Sequence, residues 1–174
     1  MKTRQWRSST WKAESSALNA VQRKERKRSD DMNTHSIAVD AKGDSSTASY
    51  YRGALVSNGK ILFEAGPFRE MINHVAKFLA ITHALVLIEG GETILELENS
   101  PIVYCDSNCA VTWATRKCVT SGKSYPEPVY KLIKRAEEWL FGHRDMSSRI
   151  RKWDTKNWGV MPGDYNPQFK KGKE

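Results

Sequence analysis

Apolar residues in this chain change their spacing several times, and each change marks an element. From about residue 35 they form short runs that read as strands: Ser36-Ile37-Ala38-Val39-Asp40-Ala41, then, past the turn-rich Gly43-Asp44-Ser45-Ser46, the stretch from Ala48 to Val56. Asn58-Gly59 is a strong hairpin signal, because both residues tolerate the positive φ of a tight turn, and Lys60-Ile61-Leu62-Phe63-Glu64 returns as a third strand. Gly66 and Pro67 punctuate that meander. Beyond them Val75, Phe78, Leu79, Thr82, Leu85, Val86 and Leu87 recur at helical spacing, which predicts a helix over about residues 72–89 closed by Gly90-Gly91.

Pro101 to Cys105 is a short buried-strand run, and Asp106 or Ser107 can cap a helix through Ala110, Val111 and Trp113. Lys117 to Tyr125 is polar and reads as a loop. Pro126 and Pro128 start a further helix with Val129, Leu132, Ile133, Ala136, Trp139 and Leu140 on one face and Lys131, Lys134, Arg135, Glu137 and Glu138 outside. Ile150 to Trp153 reads as a last strand before a tail broken by Gly and Pro. The order β-β-β-α-β-α-α-β predicts an α/β fold, a mixed sheet flanked by helices, with Asp40 and Asp106 near the ends of adjacent strands. In such sheets ligands and chemistry gather at strand ends.

Charge changes the picture at the N-terminus. Residues 1–34 hold nine Lys or Arg against four acids, densest at Arg23-Lys24-Glu25-Arg26-Lys27-Arg28, and are expected to be a basic arm rather than core. The domain is then expected over 35–167, with a short basic tail at 168–174. In 174 residues, 39% hydrophobic content supplies one sizeable core, and the net charge of +8 favours a polyanionic partner, nucleic acid first, over mere solubility. Three cysteines, Cys105, Cys109 and Cys118, are odd in number and lack zinc-finger spacing, so a reduced, intracellular setting is expected. Cytoplasm is the first expectation, with an organelle as the alternative because Arg4, Arg7, Ser8 and Ser9 faintly resemble a transit peptide. No apolar run reaches the ~18 residues of a membrane span, so no membrane partner is expected.

Three aspartates carry the candidate chemistry. A carboxylate ending a buried apolar strand is costly unless it binds metal, caps a helix or is hydrogen-bonded. Helix capping is an adequate account of Asp106, and Asp164 in Pro162-Gly163-Asp164-Tyr165 reads equally as a turn residue. Asp40 has no such alternative, since turn chemistry begins only at Gly43.

Taken in order, Ile37 to Ala41, Tyr51-Arg52-Gly53, Gly66-Pro67-Phe68, Asn73 to Ile81, Tyr104 to Ser107, Arg135 to Leu140, Lys152 to Lys156, Trp158-Gly159 and Pro162-Gly163-Asp164 resemble type 1 ribonuclease H. The likeness is to a bacterial branch whose last helix is short, and it spans residues 35–167, about three-quarters of the chain. The resemblance implies a five-stranded mixed sheet, three antiparallel strands followed by parallel ones, and a groove for an RNA–DNA hybrid. It also implies cleavage of the RNA strand by two Mg²⁺ ions, or Mn²⁺, held by Asp, Glu, Asp and Asp. Asp40 matches the first of these, Asp106 the third and Asp164 the last.

The Glu falls on Lys77. A protonated Lys has no lone pair for a metal, and its charge repels the ion by about 4 kcal/mol per unit charge pair at roughly 4 Å and an effective dielectric of ~20. Normal two-metal catalysis is therefore not expected; the Lys77 ammonium is expected to stand among Asp40, Asp106 and Asp164 and relieve their mutual repulsion. Of the other acids, Glu64 and Glu70 are not well placed to replace the missing Glu, though Glu70 is the candidate if its loop folds back, and Asp154 could approach the metal region although its matching place in the family is structural.

Groove contacts are expected from Asn73 and His74, from Ser107 and Asn108, and from Thr155 and Lys156, all able to donate to phosphate or sugar oxygens, and from Arg23, Lys24, Arg26, Lys27 and Arg28 of the arm. Arg116, Lys117, Lys123, Lys131, Lys134 and Arg135 add a basic flank or are simply solvated helix charges. The leading expectation is a catalytically impaired protein that binds RNA or RNA–DNA hybrid, as a component of a ribonucleoprotein complex with protein partners. The alternatives are an active Mg²⁺-dependent hybrid nuclease and a protein-interaction module.

Overall fold

The computed structural model describes residues 32–43, 46–91 and 100–166, so the basic arm with Arg23, Lys24, Arg26, Lys27 and Arg28, and the tail from residue 168, lie outside the described residues. From Asn33 onward the described residues belong to one unit. Its strands are β1 (Ile37–Lys42), β2 (Ser49–Leu55), β3 (Ile61–Phe68), β4 (Val103–Cys105) and β5 (Ile150–Lys152). Its helices are α1 (Asn73–Glu89), α2 (Asn108–Arg116), α3 (Glu127–Gly142) and the single turn α4 (Thr155–Trp158), with a 3-10 segment over Arg144–Arg149.

The sheet order is β3-β2-β1-β4-β5. β1 pairs antiparallel with β2, and β2 with β3, while β4 lies parallel to β1 and β5 parallel to β4. This is the mixed five-stranded sheet that the ribonuclease H resemblance implied. β1 sits at its centre, which is why its run is apolar on both faces and five of its six residues are buried. Alternation along β1 gives Ile37, Val39 and Ala41 to the main core, and places Ala38, Asp40 and Lys42 on the opposite parity.

α1 lies across that core. Ten of its residues are buried, among them Val75, Phe78, Ile81 and Leu85, and α3 adds Val129, Ile133, Ala136 and Leu140. At roughly 25 cal/mol per Å² of apolar surface, a fully buried side chain of this size contributes about 1.5–3 kcal/mol, so this layer dominates the fold's stability. Beyond β5 the chain wraps back. Trp153 and Trp158 pack edge to face against Tyr104 of β4, and the Trp153 indole N–H donates to the Gly159 carbonyl at 2.9 Å.

Two strand boundaries and two short helical segments differ from the sequence pattern. β1 runs on to Lys42, so Asp40 is the strand's fourth residue rather than its end, because β2 pairs with it as far as Lys42↔Tyr50. β3 does not stop at Glu64 but continues through Gly66 and Pro67 to Phe68, opposite Ser49. An edge strand can lose the proline N–H without losing a ladder bond. Gly66 is required there, with φ 133° and only 2.7 Å between a hypothetical Cβ and both the Ser49 carbonyl and the Tyr50 ring. The 3-10 segment and α4 are too short to show a period.

Candidate functional site

The centre of the site is an ammonium held by two carboxylates. Parallel pairing of Val39 with Cys105 brings the following residues, Asp40 and Asp106, side by side. Lys77, one turn into α1, extends towards the helix N-terminus as long helical side chains do. Its Nζ lies 2.9 Å from Asp40 Oδ1 and 2.5 Å from Asp106 Oδ1. Both Lys77 and Asp40 are buried, at 7% and 4% exposure, and Asp106 is half-buried. Burial pushes the Lys77 ammonium down, but the charges and hydrogen bonds of Asp40 and Asp106 outweigh it and hold its pKa above the ordinary lysine range. Lys77 is therefore charged at every physiological pH.

The second oxygen of Asp40 is used as well. Oδ2 accepts the Tyr165 backbone N–H at 2.9 Å, which ties the C-terminal segment to β1 across 125 positions of sequence. Arg52, directly opposite Asp40 on β2, anchors the same segment: its Nε donates to the Gly163 carbonyl at 2.7 Å and its second amine to the Asp164 carbonyl at 3.1 Å. Asp164 is buried, and its Oδ1 accepts the Asn166 N–H at 2.7 Å within its own turn. The structure thus brings Asp40, Lys77 and Asp106 together, with Asp164 connected to them through the Arg52 and Tyr165 contacts.

A divalent metal does not fit these residues as they stand. Each of the two strand carboxylates gives an oxygen to Lys77, Asp40 gives its other to an amide, and the ammonium has no lone pair to offer. Among the described residues no group of three or more His, Cys, Asp or Glu is disposed to hold a metal ion. The other acids are occupied elsewhere or lie outside: Asp154 caps α4 by accepting from Asn157, Glu64 meets Arg52 and the Tyr165 hydroxyl, and Glu70 is exposed before α1 with φ 56°.

Beside this triad the N-termini of α1 and α2 lie together. Ser107 caps α2 by accepting the Ala110 N–H at 3.2 Å, and its hydroxyl sits 3.1 Å from His74 Nδ1. His74 and Asn108 are exposed, and Asn73 Oδ1 is buried without a hydrogen-bond partner. Thr155 and Lys156 lie on α4, Lys156 exposed. In the basic flank Arg116, Lys123 and Arg135 are exposed, whereas Lys131 and Lys134 are paired along α3 with Glu127 and Glu137 at 2.6 and 2.7 Å.

Sequence reasoning missed Arg52, Lys42 and Tyr165 as members of the site. Strand alternation was the available signal, since Asp40 and Lys42 share one parity of β1 and face Arg52 and Tyr50 across the hairpin.

Sheet order and site together define an α/β domain with a mixed five-stranded sheet, in which carboxylates of two adjacent strands hold an internal ammonium. No family model matches the chain. Solved structures to which it is similar include LC11-RNase H1 in complex with RNA/DNA hybrid, at 16% identity and a TM-score of 0.40, over 67% of this chain and 81% of that one. LC11-RNase H1 isolated from compost is similar at 17% identity and a TM-score of 0.37, over 68% and 83%. RNase H1 from the halophilic archaeon Halobacterium salinarum is similar at 16% identity and a TM-score of 0.35, over 67% and 79%. No helix among the described residues is long and apolar enough to cross a membrane.

Proposed function

We propose that this protein binds RNA or RNA–DNA hybrid through a ribonuclease H-like groove and does not cut it by the two-metal route. The observation that carries the reading is the Lys77 ammonium bonded to both Asp40 and Asp106, which offsets one of their two charges and takes up an oxygen of each. In the two-metal scheme one ion generates hydroxide and the other stabilises the leaving oxygen, and both need free carboxylate oxygens. Here those oxygens serve the fold. The net charge of +8 and the exposed donors at the starts of α1 and α2 are what remains for phosphate contact.

Two assays on the full chain test this. Fluorescence anisotropy with a labelled RNA–DNA hybrid is expected to give binding that weakens steadily with salt. Cleavage of the same hybrid in Mg²⁺ or Mn²⁺ is expected to be absent from the native chain and to appear, if anywhere, in Lys77→Glu. Cleavage by the native chain that Asp106→Asn abolishes would overturn the impaired reading. Failure to bind hybrid or RNA at moderate salt would overturn the binding reading.

A further inference from the structure

Beyond the Asp40–Lys77–Asp106 triad, one cluster on the same parity of β1 has no role in the fold's core. Lys42 is exposed, two residues past Asp40, and its Nζ lies 4.9 Å from the Tyr50 ring centroid and 4.7 Å from that of Tyr165. An ammonium near two aromatic rings is attracted to their faces, so a side chain that would otherwise sample many rotamers is held in one region. The rings are themselves fixed. Tyr50 passes over Gly66, where any Cβ would lie 2.7 Å from the ring. Tyr165 is held at its amide by Asp40, at its hydroxyl by Glu64 Oε2 at 3.0 Å, and at its face by the Arg52 guanidinium, 3.9 Å from the ring centroid.

The electrostatics around this cluster follow from Lys77. With a carboxylate at position 77 and no metal, the acids here would outnumber the cations by three and repel a phosphate from this edge. As the chain stands, Lys77, Lys42 and Arg52 offset three of the four acids Asp40, Asp106, Asp164 and Glu64. Arg52 spends its donors on Gly163 and Asp164 and faces Glu64 at 3.7 Å, whereas Lys42 is solvent-exposed. Lys42 is thus the cation of this group able to meet an incoming anion.

We propose that Lys42, positioned by Tyr50 and Tyr165, is a phosphodiester contact over which the nucleic-acid backbone passes beside Asp40. This rests on the nucleic-acid reading above and adds a particular subsite to it. Preorganisation is the physical point: the rings hold the ammonium in place before binding, so less freedom is lost when phosphate arrives.

The test is a salt series of hybrid binding by fluorescence anisotropy on the full chain, comparing native protein with Lys42→Gln, Tyr165→Ala and, as control, Lys60→Gln on the β2–β3 turn. One phosphate contact accounts for about a 3.5-fold loss of affinity over a fourfold rise in salt, from a slope of roughly −0.9 per contact. Lys42→Gln is expected to lose that increment of salt dependence and to bind more weakly at low salt. Tyr165→Ala is expected to weaken binding by about two- to fivefold, the worth of an exposed cation–π contact, with the salt slope kept. Lys60→Gln is expected to bind as the native chain does. Native binding together with an unchanged slope in Lys42→Gln, in a variant that melts like the native protein, would overturn the subsite and leave the nucleic-acid reading intact. No hybrid binding by the native chain would overturn both.

Discussion

Replacing Lys77 by methionine keeps the bulk of the side chain and removes its charge, leaving Asp40 and Asp106 adjacent and uncompensated. In the native chain Nζ lies 2.9 and 2.5 Å from their oxygens, and the three side chains are only 9%, 5% and 15% exposed. At an effective dielectric of ~20 each contact has a gross attraction of about 5–7 kcal/mol, most of it offset by taking the ions out of water. The gross figure is therefore not the cost. Truncating one partner of a buried ionic group costs about 3–5 kcal/mol, because the remaining charges stay buried. With a urea slope of roughly 2 kcal/mol per M, the unfolding midpoint should fall by about 2 M at unchanged slope. Adding Asp40→Asn and Asp106→Asn to Lys77→Met should recover at least half of the loss, since neither strand carboxylate is then left uncompensated. Lysine with a raised pKa contributes stability that is fully present below its unfolded value and lost only as pH rises through the folded one. The difference between native and Lys77→Met should accordingly be flat from about pH 7 to pH 9. A loss below about 1 kcal/mol would refute the reasoning, because an ammonium worth so little could not be buried between two carboxylates.

Other consequences are open to simpler measurement. His83 stacks on Phe63 at 4.0 Å, and burial pushes its pKa below the usual 6.5. Its neutral form is the one the fold accepts, so stability should fall as pH drops below 6.5 in the native chain and fall less in His83→Gln, by thermal melting at pH 7.5 and 5.5. Burial pushes the Cys105 thiol up to about 12, while Cys118 is exposed. Iodoacetamide at pH 8 should label Cys118 and leave Cys105 untouched until urea is added, as read by peptide mass. Gly163→Ala would place a Cβ 2.7 Å from that of Ala54 at φ 76° and should cost about 1–3 kcal/mol, by urea titration. A neutral outcome would mean that the Arg52 anchor does not hold this segment in place.

Most of the framework could be read from neighbouring residues. The 3.6-residue spacing from Val75 to Leu87 gave α1 to within a residue, and Asn58-Gly59 marked the turn between β2 and β3. Such elements depend on side chains a few positions apart, so a linear reading captures them. The order of motifs likewise singled out Asp40, Lys77 and Asp106, and the chemistry of an ammonium said what Lys77 excludes. The insertion of its Nζ between the two carboxylates was decided by the parallel register of β1 and β4 and by where α1 crosses them, neither of which is written locally. Arg52 and Tyr165 reach the site through hydrogen bonds across 111 and 125 residues, Lys42 meets Tyr165 only because of them, and Gly66-Pro67 reads as a break until β2 supplies a partner for the strand running through it. Periodicity is a property of the chain, whereas the pairing of charges distant along it exists only once the sheet has set their separation.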